Sequence, residues 1–432
     1  MDLTADGQVD VVGLTLCDAS GDMGKGNWAV HVGGNDGFTE EPLTFTLPTY
    51  PIGTFQSFGT FGACFAGGGV DWTPADINGD GLSDMVAVRM CDDSGDIGQT
   101  HWLVHLNTGA GYDVTPVEWG LPTGYDANTF ADFSRTFCDS EGQVLWSLFD
   151  VDGDGPLDLV GTDGCSDDAV TGRTEWTVHR GTSSGFEDVP TSYLVPTGYG
   201  PDDFDATFNT DCLRGTSPVW TLSDLDGDGD PDIAATSLCD GSGGVGLDHW
   251  NVHLNNGGGF DDTAISWPLP STYAAGTFTA GLYNTICEYG VSEALYSVVD
   301  ADGDGLPDVV ATDMCAAGSD VGRLRWEVWR NLGNGFDVAH IDWWLPQDQP
   351  PGTFTALGSV ACLTGAALEW TYADVSGDGA ADIVGTARCD DGGGVGSAHW
   401  LVYDAACNVP EPTLGTTGTT APTTPPTTPP VP

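Results

Sequence analysis

Positive charge is almost missing from this chain. Its 432 residues carry 10 Lys+Arg against 64 Asp+Glu, a formal charge of −54. Lys25 is the single lysine and the arginines are scattered, so there is no basic stripe for nucleic acid phosphates or an anionic membrane surface to meet. Long apolar runs are missing too: none approaches the ~18–20 residues of a membrane helix. The opening, Met1-Asp2-Leu3-Thr4-Ala5-Asp6-Gly7, has no basic n-region and no apolar h-region, so it does not read as a secretory signal. No sustained 3.6-residue period exists, which argues against long helices. Core-forming residues, by contrast, are plentiful. Hydrophobic residues make up 40%, with 15 Trp, 17 Phe and 11 Tyr, which excludes a disordered chain. The 63 glycines point to many turns.

A repeat sets the architecture. The string Asp-x-x-Gly-Asp-Gly-x-x-Asp starts at Asp76, Asp150, Asp224, Asp300 and Asp374, in steps of 74, 74, 76 and 74 residues. A decayed copy starts at Asp2, with Ala5 where the others have glycine. Independent markers keep the same step: Trp28, Trp102, Trp176, Trp250, Trp326 and Trp400; then Trp72, Trp146, Trp220, Tyr296 and Trp370; then Cys17, Cys91, Cys165, Cys239, Cys315 and Cys389. In the third unit, Val144–Phe149 and Leu157–Thr162 read as strands on either side of the string. Glu175–His179 alternates with period two, and Phe186–Val195 gives a fourth strand interrupted by Pro190. Such a unit cannot bury its faces alone. Radial stacking into a β-propeller, with short protected edges, is the expected all-β fold, and a solenoid is the lesser alternative. The count gives about six four-stranded blades over residues 1–409, the first and last incomplete. The missing strands suggest that the chain begins upstream or that the tail closes the ring. Residues 410–432 are a Thr/Pro spacer without core-forming content.

The unit Asp150-Val151-Asp152-Gly153-Asp154-Gly155-Pro156-Leu157-Asp158-Leu159-Val160-Gly161, with Trp-x-Val-His and Gly-Phe downstream, resembles the FG-GAP/VCBS repeats. The resemblance implies an integrin-alpha-like propeller of the kind common in bacterial surface proteins, and it extends over residues 2–407. Familiar blades run ~40–50 residues, whereas these run 74. The surplus lies between Cys91 and Trp102 and between Pro122 and Cys138 in the second unit. Those segments are expected to be face loops of the kind that carry binding.

The Asp strings read as calcium loops. Crowded carboxylates repel by ~1 kcal/mol per pair at 4 Å even in water, a cost that a hard dication with six to eight oxygen ligands removes. Positions one, three, five and nine supply the side chains: Asp76, Asn78, Asp80 and Asp84; Asp150, Asp152, Asp154 and Asp158; Asp224, Asp226, Asp228 and Asp232; Asp300, Asp302, Asp304 and Asp308. A weaker set is Asp374, Ser376, Asp378 and Asp382, and the copy at Asp2, with Thr4, is expected to be empty. Four or five Ca2+ sites follow. An EF-hand is excluded, because the twelfth places are Ala87, Gly161, Ala235, Ala311 and Gly385 instead of glutamate.

Twelve cysteines fit two disulfide maps. One pairs Cys64–Cys91, Cys138–Cys165, Cys212–Cys239, Cys287–Cys315 and Cys362–Cys389, leaving Cys17 with Cys407. The other pairs each with a cysteine 47 or 48 residues downstream, with Cys389 taking Cys407. Shorter loops favour the first, and both need an oxidising compartment. No Cys-x-x-Cys spacing supports zinc. His31, His105, His179 and His253 share a register that Trp329 and Tyr403 complete, which suits packing better than a His101–His105 metal pair. A second set of acids, Asp18, Asp22, Asp92, Asp93, Asp96, Asp167, Asp168, Asp390 and Asp391, reads as solvated loops or as a cation-dependent ligand face. Trp119, Trp267, Trp343 and Trp344 are the tryptophans expected to be exposed for sugar stacking. The functional expectation is a secreted or cell-surface adhesion or recognition propeller for protein or glycan. It involves no nucleic acid and no membrane insertion. The alternatives are a polysaccharide- or ester-acting enzyme and a purely structural envelope module. The sequence reveals no single place that breaks the repeat symmetry, as an active site would.

Overall fold

The computed structural model describes residues 1–404 apart from 15–22, 35–36, 52–53, 57–58, 60–68, 93–95, 127–128, 137, 139–142, 167–169, 201, 211, 213–217, 286, 288–292, 316–317, 356–357, 359–367, 390–393 and 396. Every structural statement below concerns the described residues, and the Thr/Pro tail lies outside them. They form strands and turns and no helix. Six small sheets succeed one another, one per repeat, as a six-bladed β-propeller.

The third blade has strands Val144–Phe149, Asp158–Gly164, Glu175–His179 and Thr191–Leu194, each antiparallel to the next. The expected fourth strand is split at Pro190, which has no N–H to give a ladder. Thr191–Leu194 completes the blade. Gly185–Phe186 instead folds onto Gly181–Thr182 and reaches Gly120 of the second blade. Gly185 has φ 149°, and a Cβ there would stand 2.6 Å from the Gly120 nitrogen, so only glycine fits. The first blade has three strands (Val11–Gly13, Asn27–His31, Leu43–Thr46), as does the sixth (Leu368–Ala373, Asp382–Arg388, Leu401–Tyr403). These two blades meet through Phe38 and Trp400, whose rings lie edge to face at 5.3 Å.

The register-locked tryptophans are the joints between blades. Trp28–Trp72, Trp102–Trp146, Trp176–Trp220 and Trp326–Trp370 pack at 6.0, 5.9, 6.3 and 5.7 Å. Their indoles hold the segment that crosses from blade to blade. At the second joint Trp102 Nε1 donates to Phe130 O and Trp146 Nε1 to Thr129 O, both at 2.8 Å. At the third, Trp176 and Trp220 hold Phe204 O and Asp203 O in the same way. Phe55, Phe130, Phe204, Phe278 and Phe354 on these segments are buried. The length after the fourth strand is therefore an interblade wedge, where a face loop was expected. The exposure expected of Trp119, Trp267 and Trp343 fails for a related reason. Each lies cross-strand from a joint tryptophan and is buried with it, and Trp344 alone of the four is exposed.

The histidine register does pack, and it is a second latch. Nδ1 of His105, His179 and His253 lies 2.6, 2.8 and 2.7 Å from the carbonyls of Asp113, Glu187 and Asp261. A carbonyl only accepts, so Nδ1 carries the proton. Nε2 then accepts from the hydroxyls of Tyr50, Tyr125 and Tyr199 on the preceding blade, at 3.0, 2.7 and 2.9 Å. Burial pushes these three histidines down from their ordinary pKa, in favour of the neutral form. With both nitrogens of His105 engaged, a His101–His105 metal pair has no free donor. Cys138–Cys165, Cys212–Cys239 and Cys287–Cys315 are disulfides, as the first map expects. Cys91 and Cys389 are also disulfide-bonded, while Cys17, Cys64, Cys362 and Cys407 lie outside the described residues. Three such bridges mark an oxidising compartment.

Candidate metal centres

Each Asp string is the turn between the first and second strands of a blade. Its first aspartate folds it. Asp224 accepts from the N–H groups of Gly227 and Gly229 at 2.7 and 3.0 Å, and Asp300 and Asp374 repeat the pattern with their own glycines. The glycines at places four and six sit in the left-handed region, as at Gly227 (φ 81°) and Gly229 (φ 98°). In the decayed first loop Ala5 takes that conformation at φ 54°.

Place nine does something the sequence did not reveal. Asp158, Asp232 and Asp308 are fully buried, and both oxygens of each accept main-chain N–H groups. For Asp232 these come from Asn255 at 2.9 Å and Leu225 at 3.0 Å. Asp158 takes Gly181 and Val151, and Asp308 takes Asn331 and Ala301. Asp10 fills the same place in the first loop, accepting from Leu3 at 2.9 Å and Gly33 at 3.0 Å. The ninth residue thus ties the loop to the end of the third strand, whatever else it binds. Burial pushes Asp84, Asp158, Asp232 and Asp308 up to about 7.

Three loops bring carboxylate oxygens together. One oxygen from each of Asp150, Asp152 and Asp158 lies within 4.8 Å of the others, and the same holds for Asp224, Asp226 and Asp232 and for Asp300, Asp302 and Asp304. Asp154 and Asp228 lie in the third and fourth loops outside those triplets. In the second loop Asn78 Nδ2 donates to Asp80 Oδ2 at 3.0 Å, and Asp76 accepts from the N–H groups of Asp80 and Gly81. In the sixth, Ser376 Oγ stands 3.5 Å from Asp374 Oδ1, its N–H donates to Asp382, and Asp378 accepts from Ala380. Burial raises the pKa of Asp226 and Asp302, with neighbouring Asp228 and Asp304 adding to it. Asp84 Oδ2, Asp150 Oδ1, Asp152 Oδ1 and Asp302 Oδ1 are buried with no hydrogen-bond partner. Buried charged oxygens without a donor are costly, and a hard, oxygen-seeking dication is the group that such a donor set suits.

The loops also touch one another around the ring. A Cβ on Gly79 would stand 2.6 Å from Pro156 N of the third loop, and one on Gly227 2.7 Å from Leu306 of the fifth. Gly303 faces Ala380 at 3.0 Å, and Gly377 faces Gly7 O of the first loop at 3.2 Å. Gly153 packs against Asp230, an acid at place seven of the fourth loop that the sequence reading passed over. Also missed were Arg180 and Arg330, which follow the third strands of their blades and reach Asp152 and Asp302. An open groove of about 550 Å³ lies between the third and fourth blades. Ser147, Phe149, Thr207, Phe208 and Thr221 line it, and it extends to Asp150 and Asp224.

One constellation breaks the repeat symmetry. In the fifth blade Glu327, His340 and Asp342 converge within 4.8 Å. Tyr273, whose latch histidine is replaced by Trp329, donates to Glu327 at 2.8 Å instead. Arg325 lies 2.7 Å from Glu327 and 2.6 Å from Asp342, so an internal cation already offsets part of the charge of the two carboxylates. The odd residue out was visible as Glu327, where other blades carry Leu103, Thr177 and Asn251. Of the second acidic set, Asp18, Asp22, Asp93, Asp167, Asp168, Asp390 and Asp391 lie outside the described residues. No helix among those described is long and apolar enough to cross a membrane.

No family model and no curated protein matches the chain. Among solved structures it is similar to the Tc holotoxin pore of Photorhabdus luminescens, at 15% identity over 88% of this chain with TM-score 0.44, and it spans 13% of that chain's length. It is also similar to an Agrocybe aegerita lectin described as recognising non-reducing terminal N-acetylglucosamine, at 18% identity over 94% of this chain and 78% of that one, with TM-score 0.40.

Proposed function

We propose that this chain is a secreted or cell-surface propeller of the FG-GAP/VCBS kind, stabilised by calcium and serving to recognise a protein or glycan at a bacterial surface. The observation that carries the reading is the set of touching Asp loops, with buried, partnerless carboxylate oxygens in the second, third and fifth of them. Calcium suits them better than magnesium, because irregular loops of carboxylates and carbonyls match its larger and more flexible shell. The ion's role is structural, so its binding energy becomes folding energy. The disulfides support an extracellular setting. The groove between the third and fourth blades supports recognition. Its hydroxyls, and the Phe208 ring at 58% exposure, suit a polar ligand with an apolar face, such as a sugar.

The test is thermal melting with calcium and then with chelator, followed by glycan and protein arrays on the calcium form. Chelator is expected to lower the melting temperature, and calcium to be needed for retention of a ligand. Melting that ignores chelator would overturn the metal reading. Arrays that stay blank with calcium present would overturn recognition.

A further inference from the structure

The third loop already has a cation of its own. The Asp152 side chain is 2% exposed, and Arg180 Nη1 stands 2.6 Å from its Oδ2, off the line of a hydrogen bond. Arg180 Nη2 donates to Gly257 O of the fourth blade at 2.9 Å. The same turn of the fourth blade grips the third loop from the other side, where Asn255 Nδ2 donates to Val151 O at 2.7 Å. One guanidinium therefore joins a loop carboxylate to the neighbouring blade. The equivalent residue is Val32, Leu106, Leu254 and Asp404 in four other blades, and only the fifth repeats the arginine. There Arg330 Nη1 is 4.0 Å from Asp302 Oδ2, a looser approach.

We propose that Arg180 is a resident counter-cation that competes with the metal for the third loop, and that Arg330 does the same more weakly at the fifth. The proposal rests on the calcium reading of the loops. Two cations a few ångströms apart on one carboxylate repel each other, so an entering ion must push the guanidinium off Asp152. Doing so loosens its hold on Gly257. Occupancy of the third loop is thereby coupled to the joint between the third and fourth blades, and the unloaded loop keeps a neutralised carboxylate.

The full chain and its variants Arg180→Leu, Arg180→Lys, Arg330→Leu and Leu254→Arg are stripped with chelator and titrated calorimetrically with calcium. Leucine stands at this register in two blades, so it fits the space. Arg180→Leu is expected to tighten the weakest calcium sites by about tenfold or more, and Arg330→Leu by less. Leu254→Arg weakens one site by about the same factor, and Arg180→Lys keeps the parent pattern. Melting supplies a second readout with a change of sign. In chelator Arg180→Leu melts below the parent, and in saturating calcium it recovers. Calcium affinities unchanged or weakened by Arg180→Leu, or an undiminished melting temperature in chelator, would overturn the proposal alone. If none of these proteins bound calcium, the metal reading itself would fall and the proposal with it.

Discussion

Six loops ask the same backbone of unequal residues. Where five have glycine, the first has Ala5 at φ 54°, and a non-glycine residue there gives up roughly 1–2 kcal/mol. Ala5→Gly is therefore expected to raise stability by about 1 kcal/mol in denaturant titration, with calcium or without it. Places three and nine can be told apart in the same assay. Asp232→Asn turns an amide N–H₂ toward main-chain N–H groups, and it should cost about 2–4 kcal/mol in chelator and more in calcium, where an ion ligand is lost as well. Asp226→Asn should lose stability only in calcium and become neutral or better in chelator, where a crowded charge has gone. A loss at Asp226 that persisted in chelator would put it with the structural aspartates. The acids of these loops were legible from spacing alone. The division of labour among them was not, because Asp232 meets its partner Asn255 only after a strand has folded back.

Strands and joints were more legible than links. Val144–Phe149 falls where its apolar and aromatic run predicts a strand and Glu175–His179 where alternation does, since both signals need nothing but the local sequence. The crossing segments misled because polar, proline-rich stretches look like surface loops, yet tryptophans of two blades clamp their carbonyls. Trp250→Ala removes such a clamp, Nε1 to Phe278 O at 2.8 Å, and is expected to cost about 3–5 kcal/mol by chemical denaturation. The histidine latches set a pH dependence at this scale. The folded pKa values lie below the unfolded ~6.5, so below that pH the unfolded chain takes up protons that the folded chain refuses. Their stabilisation is complete above ~6.5 and is lost as pH falls. A chain with His105→Gln, His179→Gln and His253→Gln should show a flatter profile of melting temperature between about pH 5 and 7.

For the whole molecule, the repeat made the fold readable without any relative, because several markers held one step over the length of the chain. It could not reveal Arg180, which joins its own loop to the turn of another blade only once both have folded. Chelation should reverse the sign of the pH response. Without metal, Asp84, Asp158, Asp232 and Asp308 titrate near about 7 in the folded chain, against ~3.9 unfolded. Between those values the folded chain holds the extra protons, so stability in chelator falls as pH rises. With calcium the carboxylates stay ionised and the histidines dominate, so stability rises as pH approaches ~6.5 from below. Parallel slopes in the two conditions would show that these aspartates do not face the ion.

The seam between the first and last blades differs from the other joints. Trp400 meets Phe38 edge to face, as Trp102, Trp176 and Trp250 meet Phe186, Phe260 and Phe336, but unlike these register partners it is 38% exposed. The disc is in effect a bracelet whose clasp is its lightest link. Spontaneous opening, probed by hydrogen exchange or limited proteolysis, should therefore begin at Val11–Gly13 and Leu401–Tyr403 while the opposite rim stays shut.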